Sequence, residues 1–94
     1  MVKYYINNQE ITDKIDFGIT ESGRSKKIMI EVKNTRIWPV ELTNPKVFDE
    51  DLKILEYPKR LSALETGIIV LEFSPKEKRD EPLTKGFEFM VVNG

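Results

Sequence analysis

Ser22, Ser25, Ser62 and Ser74 are the hydroxyl nucleophiles of this chain, and no histidine exists to activate any of them. A serine attacks only when an adjacent base takes its proton and a third group holds that base in place. Ser25-Lys26 offers a serine–lysine dyad on paper, but neighbours in a strand point to opposite faces. Paired carboxylates for glycoside chemistry would have to come from Asp49, Glu50, Asp51, Asp80 and Glu81, which sit in charge-rich, turn-like segments. Asp49-Glu50-Asp51 also supplies oxygen ligands for a hard cation, yet it lacks the glycine and the distant glutamate of an EF-hand loop. Gly18 and Gly23 belong to no phosphate-cradling motif. The chain has neither His nor Cys, which removes disulfides, thiolate nucleophiles, imidazole bases and nearly all zinc, haem and iron–sulfur sites. The expectation is a protein that is not an enzyme, with no cofactor, no metal and no small-molecule substrate.

Charge narrows the partners. Fifteen basic residues against sixteen acidic ones give a net charge of −1. A general polyanion binder needs a basic excess. The clusters Arg24, Lys26, Lys27 and Lys76, Lys78, Arg79 are interleaved with Glu21, Glu77, Asp80 and Glu81, which suits soluble loops better than phosphate tracking. Nucleic acid is therefore not an expected partner.

The elements that must position any site follow from length and periodicity. Ninety-four residues make one domain, 1–94, with enough chain for one modest core. The opening Met1-Val2-Lys3-Tyr4-Tyr5 lacks the apolar run of a signal peptide, and no stretch is long and apolar enough to span a membrane. A cytoplasmic location, or a virion assembled in cytoplasm, is the expectation. Apolar and polar residues alternate with the two-residue period of strands: Ile28, Ile30 and Val32 against Met29, Glu31 and Lys33, and Val40 and Leu42 against Glu41 and Thr43. The spacing predicts seven strands, at 15–19, 26–33, 37–43, 46–48, 52–57, 66–73 and 85–92. Asn7-Asn8 adds an N-terminal hairpin within 1–12, because asparagine tolerates positive φ. Asp49 to Leu55 reads as a turn followed by a strand rather than a helix. Seven short strands without crossover helices predict an all-β, immunoglobulin-like antiparallel β-sandwich over 15–92, with a small SH3- or OB-type barrel as the competitor.

Five short motifs follow one another along the chain: Ile15-Asp16-Phe17-Gly18, Lys33-Asn34-Thr35, Tyr57-Pro58 followed by Leu61, Leu64-Glu65-Thr66-Gly67, and Leu71-Glu72-Phe73-Ser74-Pro75. Their order resembles the ASH/MSP/PapD-like group of immunoglobulin-fold domains. The resemblance covers about 15–92 and implies a β-sandwich used for protein contacts, with no active-site residues. The 1–12 hairpin departs from that pattern.

Two surfaces stand out as places where a partner would bind. Trp38, between the strands at 26–33 and 37–43, has two readings: a cap on the core, or an aromatic contact flanked by Arg36 and Arg79. Immunoglobulin topology would set the Trp38 loop beside the loop from Pro75 to Leu83. The strands at 66–73 and 85–92 are apolar on both faces. With Ile69, Leu71, Phe73, Phe87, Phe89 and Val91 inward, Ile68, Val70, Met90 and Val92 point outward from one region, and Met29 extends the patch. Either Tyr4, Tyr5 and Ile6 fold back over it, or another subunit does. The expected function is a non-catalytic structural or protein-interaction module of a larger assembly, such as a phage capsid decoration or tail protein. Its partner would be another protein or a further copy of the chain. The alternative is a module that grips a sugar or peptide with Trp38 and the end loops.

Overall fold

The computed structural model describes residues 2–11, 21–78 and 86–93. Among the described residues eight strands run in chain order: β1 Val2–Ile6, β2 Gln9–Ile11, β3 Lys26–Asn34, β4 Val40–Val47, β5 Leu52–Glu56, β6 Arg60–Leu61, β7 Thr66–Phe73 and β8 Phe87–Asn93. The predicted strand at 15–19 lies outside the described residues. The strands form two antiparallel sheets, one in the order β2-β1-β3-β7-β5 and one in the order β6-β4-β8.

Both sheets turn their apolar sides to one core. Ile30 and Val32 of β3, Leu52 of β5, and Ile69, Leu71 and Phe73 of β7 come from the larger sheet. Val40 and Leu42 of β4, Leu61 of β6 and Phe89 of β8 come from the smaller one. Each is buried, and the polar alternates of the same strands face water, as period-two patterning requires.

The N-terminal hairpin turns at Asn7 and Asn8, whose φ angles of 50° and 67° match a two-residue type I′ loop. It does not stand apart from the body. β1 pairs antiparallel with β3, so the hairpin widens the larger sheet and turns Tyr4 inward, edge-on to Phe87 with ring centroids 5.1 Å apart.

Two expected strands, 37–43 and 46–48, are one. β4 runs through Asn44-Pro45, and its register against β8 shifts between Thr43 and Lys46. Asn44 takes φ 50°, which asparagine adopts at low cost, and Pro45 needs no ladder hydrogen bond at a bulge. The dipeptide thus bends a strand rather than ending it. The Thr43 hydroxyl donates to the Met90 carbonyl at 3.2 Å across the bulge. Residues 37–39 are loop, and the two-residue β6 was not foreseen in the sequence. At 49–55 a turn leads into β5: the Asp49 carboxylate accepts from the Asp51 N–H at 2.9 Å, and the Leu52 N–H donates to the Asp49 carbonyl at 3.1 Å.

Gly67 permits a close approach inside the fold. A Cβ there would lie 2.8 Å from Pro58 Cγ and 2.9 Å from Leu61 Cδ2. The first position of β7 able to face the core is therefore left empty so that the β5–β6 connection can cross it.

Candidate protein interface

Asn34 organises the end of the molecule that carries Trp38. Its side chain is fully buried, and its Nδ2 donates to the carbonyls of Trp38 at 2.9 Å and Ser62 at 3.0 Å. Its Oδ1 accepts from the Arg36 N–H at 2.9 Å. Buried polar groups persist when they are paired in this way. One side chain thereby fastens the β3–β4 loop to the β6–β7 loop, and the Leu64 N–H adds a bond to the Arg36 carbonyl at 3.0 Å. Leu64 sits in the left-handed region at φ 60° and is exposed. In the sequence, Asn34-Thr35 looks like any polar turn; nothing there distinguishes a buried asparagine.

On this frame Trp38 is both anchored and accessible. The residue remains 39% exposed while its indole N–H donates to Asn93 Oδ1 at 3.0 Å. The Arg36 guanidinium stacks over the ring with Cζ 5.2 Å from the centroid. Ile37, 77% exposed, projects beside them. The apolar tip thus consists of Ile37, Trp38 and Leu64.

The loop expected beside this tip is elsewhere. β3 and β7 are antiparallel neighbours, so the exit from β3 and the exit from β7 fall at opposite ends of the sheet. The segment from Ser74 to Lys78 accordingly packs by the turn at 21–24: the Gly23 N–H donates to the Pro75 carbonyl, and Lys78 pairs with Glu21 at 3.6 Å. Arg79 lies outside the described residues.

The outward apolar side chains also divide differently. β7 belongs to the larger sheet and β8 to the smaller one, so Ile68 and Val70 share no face with Met90 and Val92. Strands consecutive in the chain need not be neighbours in a two-sheet fold. Met29 does join the first group, since it stands directly opposite Val70 in the β3–β7 ladder. Ile68, one pair along, completes the cluster. Met29 is 69% exposed and Ile68 45% exposed. Tyr4, Tyr5 and Ile6 do not fold over them, because β1 is itself a strand of the same sheet, between β2 and β3, with Tyr5 opposite Glu31. Met90, exposed on the other sheet, is held by the β4 bulge, with Asn44 Nδ2 donating to its sulfur at 3.7 Å.

Two surface recesses carry charges of both signs. One of about 430 Å³ is lined by Glu41, Thr43, Asn44, Tyr57, Lys59 and Arg60. The other, of about 410 Å³, holds Glu50, which pairs with Lys76 at 3.9 Å. Among the described residues no three His, Cys, Asp or Glu side chains converge in a way that could hold a metal ion, and no helix is long and apolar enough to cross a membrane. The Tyr4 hydroxyl is pushed up to about 12, first by burial and then by the Glu88 carboxylate.

No family model, curated protein or solved structure matches this chain.

Proposed function

We propose that this chain is a non-catalytic, immunoglobulin-like β-sandwich that works by protein–protein contact in a larger assembly, of which a phage capsid decoration or tail protein is one instance. The observation that carries this reading is the cluster of Met29, Val70 and Ile68 on the water-facing side of the five-stranded sheet. An antiparallel sheet normally turns polar side chains to solvent, and a contiguous apolar group there marks a contact surface. Two antiparallel sheets around one core support the sandwich architecture, and the resemblance to the ASH/MSP/PapD-like group agrees with a contact role. The test is size in a native extract. The chain should travel with a particle much larger than its 11.0 kDa, and Ile68→Glu should release it. A lone chain in native extract contradicts the proposal.

A second reading rests on the exposed Trp38 tip: a module that holds a small ligand or sugar with that ring and the end loops. Arg36 already covers one face of the indole, which leaves one face for stacking. Loss of glycan-array binding in Trp38→Ala, with folding retained, would favour this reading; no binding by the unaltered chain would remove it.

A further inference from the structure

We propose that the outer face of the five-stranded sheet docks on the same face of a second copy of this chain, around a two-fold axis that runs along the strands between β3 and β7. The proposal rests on reading this face as the contact surface. Its cations are Lys3, Lys27, Lys33 and Lys53. Its anions are Glu10, Glu31, Glu56 and Glu72. The sum is zero, so two such faces meet without net repulsion and present no field that would select an oppositely charged stranger.

Register sets which side chains meet in each orientation. Rotation about an axis along the strands carries β3 onto β7. Met29 then lies over Val70 of the second copy, and Lys27 over its Glu72, because these residues are cross-strand partners within one chain. Each contact is made twice. An axis across the strands level with Ile30 would instead set Lys33 against Lys27 of the second copy, like charge on like, and one level with Met29 would set Lys27 against Glu31 but Ile68 against Glu72. The along-strand axis gives an apolar centre of two Met29–Val70 contacts with both Lys27–Glu72 pairs at one end of it, and sheet twist offsets the two strand directions by about 30°.

Size sets the strength. Five strands about 4.8 Å apart, averaging about six residues at ~3.3 Å per residue, make a face of roughly 500 Å² per copy. A total of about 1,000 Å² falls among weak, transient interfaces, which implies a dimer that forms at tens of micromolar or above. One position opposes it. Glu31, cross-strand to Ile68, comes to face Ile68 of the second copy and loses water without gaining a cation.

Sedimentation velocity on the full chain across the micromolar range tests this. The mass should rise from 11.0 kDa toward twice that value. Lys27→Glu and Glu72→Lys should each weaken self-association roughly tenfold, and mixing the two variants should restore it, since every contact between unlike copies is again attractive. Misfolded variants would not recover on mixing. Glu31→Gln should tighten the dimer by about tenfold. A single-chain mass throughout, or no association in the mixture, overturns the proposal. If the pure chain stays single while Ile68→Glu still frees it from a native particle, the second copy is wrong and the contact face stands. If the pure chain dimerises but travels in no larger particle, the second copy stands and the larger assembly is wrong.

Discussion

Met29 and Val70 stand directly opposite each other on the solvent side of the β3–β7 ladder, while the next pair along, Ile30 and Ile69, meets on the core side with no exposure at all. The two pairs are chemically alike and differ only in which way the pleat turns them. The ladder is therefore apolar front and back at its middle, where the sheet is bounded on both sides by further strands. This relationship motivates the contact function proposed for the face.

Asn34 is the residue on which the Trp38 tip depends. Asn34→Ala leaves the Trp38 and Ser62 carbonyls without their buried donor, and should cost about 2–4 kcal/mol. Asn34→Asp should cost more, because a carboxylate would then face those carbonyl oxygens. Urea midpoints at constant m-value would show both, and a midpoint unchanged in Asn34→Ala would contradict the assigned role.

Gly67→Ala should destabilise by about 1–3 kcal/mol, since the new methyl would overlap Pro58 and Leu61 at distances that real Cβ atoms do not adopt. Thermal unfolding reads this directly. The exposed Gly23, with nothing near its missing side chain, provides the contrast: substitution there is resisted by its φ of 75° and not by packing.

Leu64 predicts a change of the other sign. A leucine at φ 60° carries a backbone cost of about 1–2 kcal/mol that glycine does not. Leu64→Gly should therefore raise stability, by about 0.5–1 kcal/mol once the extra freedom of the unfolded chain is subtracted. Unaltered or lowered stability in that variant would show that the leucine side chain contributes packing at the tip.

Tyr4 gives the chain an alkaline limit. Its hydroxyl titrates at 10.0 when unfolded and at about 12 when folded, so the folded state favours the neutral phenol. That contribution is fully present below pH 10 and is lost as pH climbs toward 12. Its size is of order 1–2 kcal/mol, discounted for the part of the hydroxyl that water still screens. Tyr4→Phe should lose less stability than the unaltered chain between those pH values. Parallel alkaline unfolding curves for the two proteins would contradict the assignment.

How much of this was legible in the sequence depends on the range over which the physics acts. Strands β3 and β7 could be read almost to the residue, because alternation such as Ile28, Ile30, Val32 is a local signal. So could the turn at Asn7-Asn8, where positive φ restricts the choice of residue. Asn44-Pro45 misled, since the same dipeptide suits a turn or a bulge and only the β8 partner decides between them. The outward patch was legible residue by residue but not as a whole. Ile68 and Met90 each had to face out, yet which sheet each strand joined depends on pairings far apart in the chain. The burial of Asn34 was invisible for the same reason: its acceptors at Ser62 and Trp38 come together only in the fold.

The most direct test of the contact face is the peroxide oxidation rate of Met29 in the isolated chain under denaturing-free, dilute conditions and in the native particle, with Met90 on the opposite sheet as the internal reference. Protein contact through the five-stranded sheet predicts fast Met29 oxidation in the dilute chain and strong protection in the particle, with Met90 much less affected. Equal Met29 rates in both states would contradict the account.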